Sequence, residues 1–298
     1  MTVAGGNGRG SQLDQLYLPA GICVDSNQTL YVADMGNDRV VAWKLNETIG
    51  RLFIRQNKTN SLRSPTDIAI DKRNRSLIIA DHDNQNVIRC SCENSTGKKT
   101  SILNIGCFGV ATDKDGSIYI SDRKKHQVQR WGGDETCGAL VVAGGNKEGQ
   151  RLNQLNNPSF IFVDDNYSLY ISDSWNHRVV KWFKGAREGI IVAGGCGQGS
   201  RLKQLSYPNG IYVDQFGQIY VADTGNHRIM CWREGAREGM MVVGKHHGEE
   251  FPDELKGPIS LTFDLYGNLY VADQWNHRIQ KFEIDDGNNK VMLIINIR

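Results

Sequence analysis

The sequence predicts an all-β fold, a six-bladed β-propeller of four-stranded antiparallel blades, from three observations. First, the stretch NPSFIFVDDNYSLYISDSWNHRVVKW at Asn157 returns as YPNGIYVDQFGQIYVADTGNHRIMCW at Tyr207 and GPISLTFDLYGNLYVADQWNHRIQKF at Gly257, and looser copies at Leu18, Ser64 and Cys107 bring the count to six. Second, the first Asp of each unit falls at 25, 71, 113, 164, 214 and 264, spacings of 46, 42, 51, 50 and 50 that leave room for about four strands and their turns. Third, apolar and polar residues alternate in short runs such as Ile211-Tyr212-Val213 and Ile219-Tyr220-Val221-Ala222, broken by turn residues, which is the pattern of hairpins. A sheet this small cannot bury both faces alone, so the copies must pack radially on one another.

The repeat cores are 18–45, 64–90, 107–131, 157–183, 207–233 and 257–283, and no biased segment separates them, so residues 1–298 form one domain. The N-terminal Thr2-Val3-Ala4-Gly5-Gly6 matches Ile191-Val192-Ala193-Gly194-Gly195, the outer strand of a blade. It therefore belongs in the last blade, where pairing of the chain ends closes the ring and removes a sheet edge. Val291-Met292-Leu293-Ile294-Ile295 is the competing strand for that place. Residues between Arg89 and Cys107 read as a loop insertion. Met1 is not followed by a charged segment and an apolar run, so neither a signal peptide nor a membrane span is expected within these residues.

Inside each unit, Tyr31, Tyr119, Tyr170, Tyr220 and Tyr270 precede the second Asp by three residues, and Trp43, Trp131, Trp182, Trp232 and Phe282 follow it by nine. Aromatics at such fixed offsets fill the seams between blades. Unit two has Ile78 and Cys90 instead, which predicts the least filled blade.

The recurring pattern Asp-x-x-Gly-x-(Ile/Leu)-Tyr-(Val/Ile)-(Ala/Ser)-Asp-x-x-Asn-(His/Asp)-Arg resembles the NHL repeat. The resemblance spans nearly the whole chain, strongly in units one, four, five and six, and more weakly in two and three, where Asn86 and Gln127 replace Arg. It implies a propeller whose relatives serve as partner-binding modules, RNA-binding modules or a peptide-amidating lyase, so it specifies fold better than activity.

The second Asp of a unit and the Arg five residues later, Asp34 with Arg39, Asp173 with Arg178, Asp223 with Arg228 and Asp273 with Arg278, are read as structural turn pairs, joined bidentately. His177, His227 and His277 each belong to a different blade and cannot share one metal. His246 and His247 with Glu249 or Glu250 lack a third ligand at a defined spacing.

With 35 basic and 33 acidic side chains the net charge is +2, too small a field to favour nucleic acid or an acidic membrane. Seven cysteines, Cys23, Cys90, Cys92, Cys107, Cys137, Cys196 and Cys231, show no zinc spacing, and those between 90 and 137 suit disulfides in an oxidising compartment. Glycosylation sequons stand at Asn27, Asn46, Asn57, Asn74, Asn94 and Asn166, in turns and links. Together these predict an extracellular or secretory-lumen glycoprotein, with the cytoplasm as the alternative.

The expected function is non-catalytic recognition of a protein or glycan by a monomeric domain of a larger protein. Specificity is assigned to loops 146–157, 196–208 and 245–258, and to the turn residues Trp175, Trp275 and Lys124. The enzyme alternative is a metal-dependent lyase or hydrolase with calcium or zinc in the central channel, held by Asp67 and Asn209 among the innermost residues Ala20, Asp67, Gly109, Ser159, Asn209 and Ser260. RNA binding is a further alternative, served by Arg123, Lys124 and Lys125, but the acidic residues on the same face oppose it.

Overall fold

Blade four gives the pattern of the molecule: Pro158–Val163, Leu169–Asp173, Arg178–Trp182 and Ile190–Gly194 pair antiparallel from the axis outward. The computed structural model describes residues 1–44, 46–54, 61–91, 100–132, 138–244 and 254–283, arranged as six such sheets. Asn57, Asn94, Cys92, Cys137, His246, His247, Glu249, Glu250 and the competing strand at 291–295 lie outside the described residues.

The sequence forms these hairpins for local reasons. Asp164 opens the turn between the first two strands, and its Oδ1 accepts the amides of Asn166 and Ser168 at 2.9 and 2.7 Å. Asp25 and Asp264 make the same pair of bonds, so the carboxylate replaces backbone partners that the turn would otherwise lack. The opposite end of the second strand closes through a short 3-10 turn, Ser174–Asn176, followed by a left-handed residue, His177 at φ 53°. The turn Asp and the 3-10 turn thus lie on opposite faces of the ring.

The ring closes as predicted. Thr2–Gly5 pairs antiparallel with Arg278–Phe282, with Ala4 opposite Ile279 and Gly5 opposite Arg278. The Met1 ammonium also donates to the Lys281 carbonyl at 2.8 Å.

Trp43, Trp182 and Trp232 are buried in three different seams. Blade two corrects the expectation of a poorly filled seam. Cys90 takes the aromatic place there, but Phe53, Ile54 and Leu62, from outside the repeat core, are buried in the same cluster, and Phe53 meets Tyr31 edge-on at 5.2 Å.

At the axis, the innermost residues are not one set. Counting back from the turn Asp, Ala20, Ser159 and Asn209 stand five residues before it, whereas Asp67, Gly109 and Ser260 stand four before it. Residues one apart on a strand face opposite ways. The two true sets are Ala20, Thr66, Phe108, Ser159, Asn209, Ile259 and Gly21, Asp67, Gly109, Phe160, Gly210, Ser260.

In the second set, blades one, three and five carry glycine because the next strand is too close for a side chain. A Cβ on Gly21 would lie 2.4 Å from Asp67 Cα, and one on Gly210 would lie 2.7 Å from Ser260 Cα. A single apolar cluster joins Ala20, Phe108, Phe160 and Ile259, although among the described residues blades two and five contribute nothing to it. These side chains therefore meet across the axis, where the channel reading had placed polar ligands.

Candidate recognition face

The face bearing the 3-10 turns is held by a clasp repeated in four blades. Asp34, Asp173, Asp223 and Asp273 each accept Arg Nε, from Arg39, Arg178, Arg228 and Arg278, at 2.6, 2.7, 2.7 and 2.8 Å. The same Oδ2 takes the amide of Asn37, Asn176, Asn226 or Asn276 at 2.8 Å. Oδ1 takes the backbone amide of Tyr17, Asn156, Ser206 or Lys256.

The expected bidentate pairing is not what forms. Only Nε meets the carboxylate, and the Nη groups of Arg178 donate to the carbonyls of Gln150, Arg151 and Gln154 in the loop that crosses from the previous blade. A guanidinium's planar fork of five donors suits it to bridge an acid and a loop at once. Burial pushes the carboxyls of Asp34, Asp173 and Asp223 upward, and the amides and Arg beside them oppose it.

The histidines peg neighbouring blades together. Nδ1 of His126, His177, His227 and His277 accepts the amide of Asn157, Tyr207, Gly257 and Leu18 at 3.1, 3.2, 3.0 and 3.3 Å. Asp38 does the same for Ser64 at 2.7 Å. Each acceptor nitrogen must be unprotonated, and burial holds His177 below its usual range.

On this clasped platform Trp175 is 56% exposed and Trp275 is 53% exposed. Lys124 is also exposed, in the corresponding turn of blade three. The two indoles are not alike. Trp275 leans on the His227 ring at 5.4 Å and covers Gly257, where a Cβ would come 2.7 Å from the indole.

Sequence reasoning missed Tyr207, exposed and edge-on to His177 at 4.7 Å, although it holds a left-handed φ of 48° where the next unit has Gly257. It also missed Tyr17, whose ring receives the Arg9 guanidinium at 3.8 Å. The available signal was an aromatic where the other copies carry Leu18, Ser64, Gly106, Asn157 and Gly257 for Tyr207, and Arg63, Ile105, Asn156, Ser206 and Lys256 for Tyr17.

The weak metal pair is placed differently. Asp67 Oδ1 and Oδ2 accept the amides of Ile68 and Val110, both at 2.8 Å, while burial pushes the carboxyl up to about 8. Asn209 donates to Thr224 Oγ1 and the Tyr207 carbonyl. The two occupy different strand positions, and each is engaged by protein groups. Among the described residues no three His, Cys, Asp or Glu side chains group as metal ligands.

Asn27, Asn46, Asn74 and Asn166 are exposed, and Asn27, Asn74 and Asn166 sit in the turns at the face opposite Trp175. Cys107, Cys196 and Cys231 are free thiols; Cys107 donates to the Asn86 carbonyl at 3.1 Å, and burial pushes its thiol up to about 12. A crevice of about 620 Å³ opens at the seam of blades six and one, lined by Gln28, Trp43, Glu47, Tyr270 and Lys281 among others. Among the described residues no helix is long and apolar enough to cross a membrane.

A family model for the NHL repeat matches residues 205–232, within blade five. A model described as lactonase, 7-bladed beta-propeller, matches 9–105, which here contains blades one and two of a six-bladed ring. No curated protein matches the sequence.

Solved structures match more broadly. A structural genomics protein of unknown function from Bacteroides thetaiotaomicron is 17% identical, with 94% of this chain and 74% of that chain covered and a TM-score of 0.75. Virginiamycin B lyase from Staphylococcus aureus, in a catalytically inactive form with quinupristin, is 12% identical over 99% of this chain and 88% of that chain, with a TM-score of 0.64. A chain of the nidogen/laminin complex is 18% identical over 75% and 79%, with a TM-score of 0.61. At these identities the likeness is one of fold. The blade geometry and the solved structures agree on the fold: the chain is a six-bladed β-propeller, and residues 205–232 of it match the NHL repeat.

Proposed function

We propose that this propeller is a non-catalytic recognition module that holds a protein or glycan partner on the face bearing Trp175 and Trp275. The observation behind this reading is the exposure of two indoles, with Tyr207 nearby, on turns fixed by buried ion pairs. Large aromatics on a rigid base lose little entropy on binding, which is why Trp and Tyr dominate hot spots. The crossing loops at 146–157 and 196–208 border these residues and supply the variable part. The likeness to a chain of the nidogen/laminin complex is in keeping with this, and the likeness to a lyase supports only the shared fold.

An extracellular or secretory-lumen setting fits the exposed sequon residues, which lie where a glycan leaves the recognition face clear. The proposed module needs no cofactor. The lyase reading would need ligands converging near the axis, where Phe108 and Phe160 pack at 5.6 Å.

The test is binding of the full chain to immobilised glycan and peptide arrays. The wild type is compared with a Trp175→Ala/Trp275→Ala variant and with Phe216→Ala, an exposed change on the opposite face. Signals lost in the first variant and kept in the second support the reading. Equal signals in all three, or no signal above background, count against it.

A further inference from the structure

We propose that Arg123 is the receptor of an oxyanion site at the mouth of the propeller axis, taking a carboxylate or phosphate group of a ligand. The residue after the second Asp of a unit normally reaches the next blade. His82 Nδ1 meets the Cys107 carbonyl at 2.6 Å, Ser174 donates to Pro208 O at 2.6 Å, Thr224 to Pro258 O at 2.7 Å and Gln274 to Pro19 O at 3.3 Å. Met35 has no polar group to give.

Arg123 stands at this position in blade three and does otherwise. Its guanidinium lies 3.2 Å over the Phe108 ring, and its buried Nε has no hydrogen-bond partner. It takes part in no ion pair among the described residues.

Phe108 makes the site rigid. It packs edge-on against Phe160 at 5.6 Å and His82 at 5.9 Å, within the cluster that closes the axis. Stacking fixes the guanidinium plane and shields one face from water, leaving its edge to meet an oxyanion through paired N–H donors. Burial lowers Arg123 to about 9, so it remains charged at neutral pH. A cation withdrawn from water without a counter-charge is unfavourable, and such groups concentrate where a ligand supplies the missing charge.

The neighbouring charges are mixed. Lys124 and Lys125 are exposed beside it, while Asp122 is buried, its Oδ1 accepting the amides of Lys124 and Lys125 at 3.1 Å and its Oδ2 lacking a partner. No hydrogen bond or ion pair joins the Asp122 and Arg123 side chains among the described residues.

The inference rests on blade residues and not on the proposed loop and indole surface, so either can fail alone. The Arg123 Nε–Hε signal of the full chain is followed by NMR during addition of sodium phosphate or sodium acetate, with chloride at matched ionic strength as control. A saturable shift with phosphate, acetate or both, absent with chloride, is the expected result, and the stronger responder assigns the ligand group. The melting temperature provides a second readout: the effective anion raises it in the wild type relative to chloride and does not in Arg123→Gln. No saturable shift with either anion overturns the proposal. So does an Asp122→Asn variant whose Arg123 signal moves in anion-free buffer and which alone gives a saturable response to anion, because the acid would then be the native partner. If Arg123→Gln fails to fold, the wild-type titration alone decides.

Discussion

Blades four to six and blades two and three solve the same turn differently. In the regular blades an Arg reaches the second Asp and the crossing loop on the recognition face. In blades two and three Asn86 and Gln127 stand there, and the Arg moves to the other end of the strand, where Arg89 meets Asp71 at 2.6 Å and Arg130 meets Asp113 at 3.4 Å. Blade three thereby loses the clasp on the very face where Arg123 has no counter-ion among the described residues. Repetition marks what the ring needs to stand, and departure from it marks where the surface is released for other use.

The comparison breaks first at the clasp. Arg178→Ala leaves a buried carboxylate unpaired and should lower unfolding stability by about 3–5 kcal/mol in denaturant titration. Gln127→Ala, at the same place in blade three, should cost only about 1 kcal/mol. Equal losses would deny the two blades different architectures.

The inner ring comes next. Gly21→Ala puts a methyl against the Asp67 backbone and should cost about 1–3 kcal/mol, whereas Gly217→Ala at an open turn strains only its left-handed backbone and should cost less.

Titration separates the pegs from the axis. With His177 held below its unfolded value of 6.5, the unfolded chain binds the proton first, so its contribution is complete above that pH and is lost as pH falls through the folded value. His177→Gln should flatten that acid limb. Asp67 has the opposite sign: raised from 3.8 to about 8, its contribution is present below 3.8 and lost as pH rises through 8. Asp67→Asn should flatten the stability profile across that window in melts run from pH 4 to 8.

The smallest effects are at the indoles. Trp175→Ala should change stability by less than about 0.5 kcal/mol and Trp275→Ala by about 1 kcal/mol, since only Trp275 covers Gly257. The reverse order in thermal melts would make Trp175 a packing residue.

The ring, its blade count and its closure were legible because each follows from local chemistry: alternation, a turn Asp, and a Val-Ala-Gly-Gly strand needing a partner. The offset between Asp67 and Asn209 was also legible, by counting back from the turn Asp. It was obscured by the irregular start of the first strand, where pairing slips between Pro65 and Asp67 and between Pro208 and Ile211. The loop carbonyls that hold Arg178 were not legible, because a backbone acceptor leaves no mark in sequence. Arg123 read as one member of a basic run; its isolation depends on which neighbours fail to reach it, a property of three dimensions.

The most direct test of the contrast is a pair of thermal melts, Arg228→Met and Arg123→Met, in chloride buffer without added oxyanion. Arg228→Met should melt well below the wild type, because it strips a buried carboxylate of its partner. Arg123→Met should melt at or above the wild type, because it replaces a half-buried cation that has no ion-pair partner among the described residues with an apolar chain of similar length. A comparable loss in both would contradict the account and make Arg123 one more structural clasp.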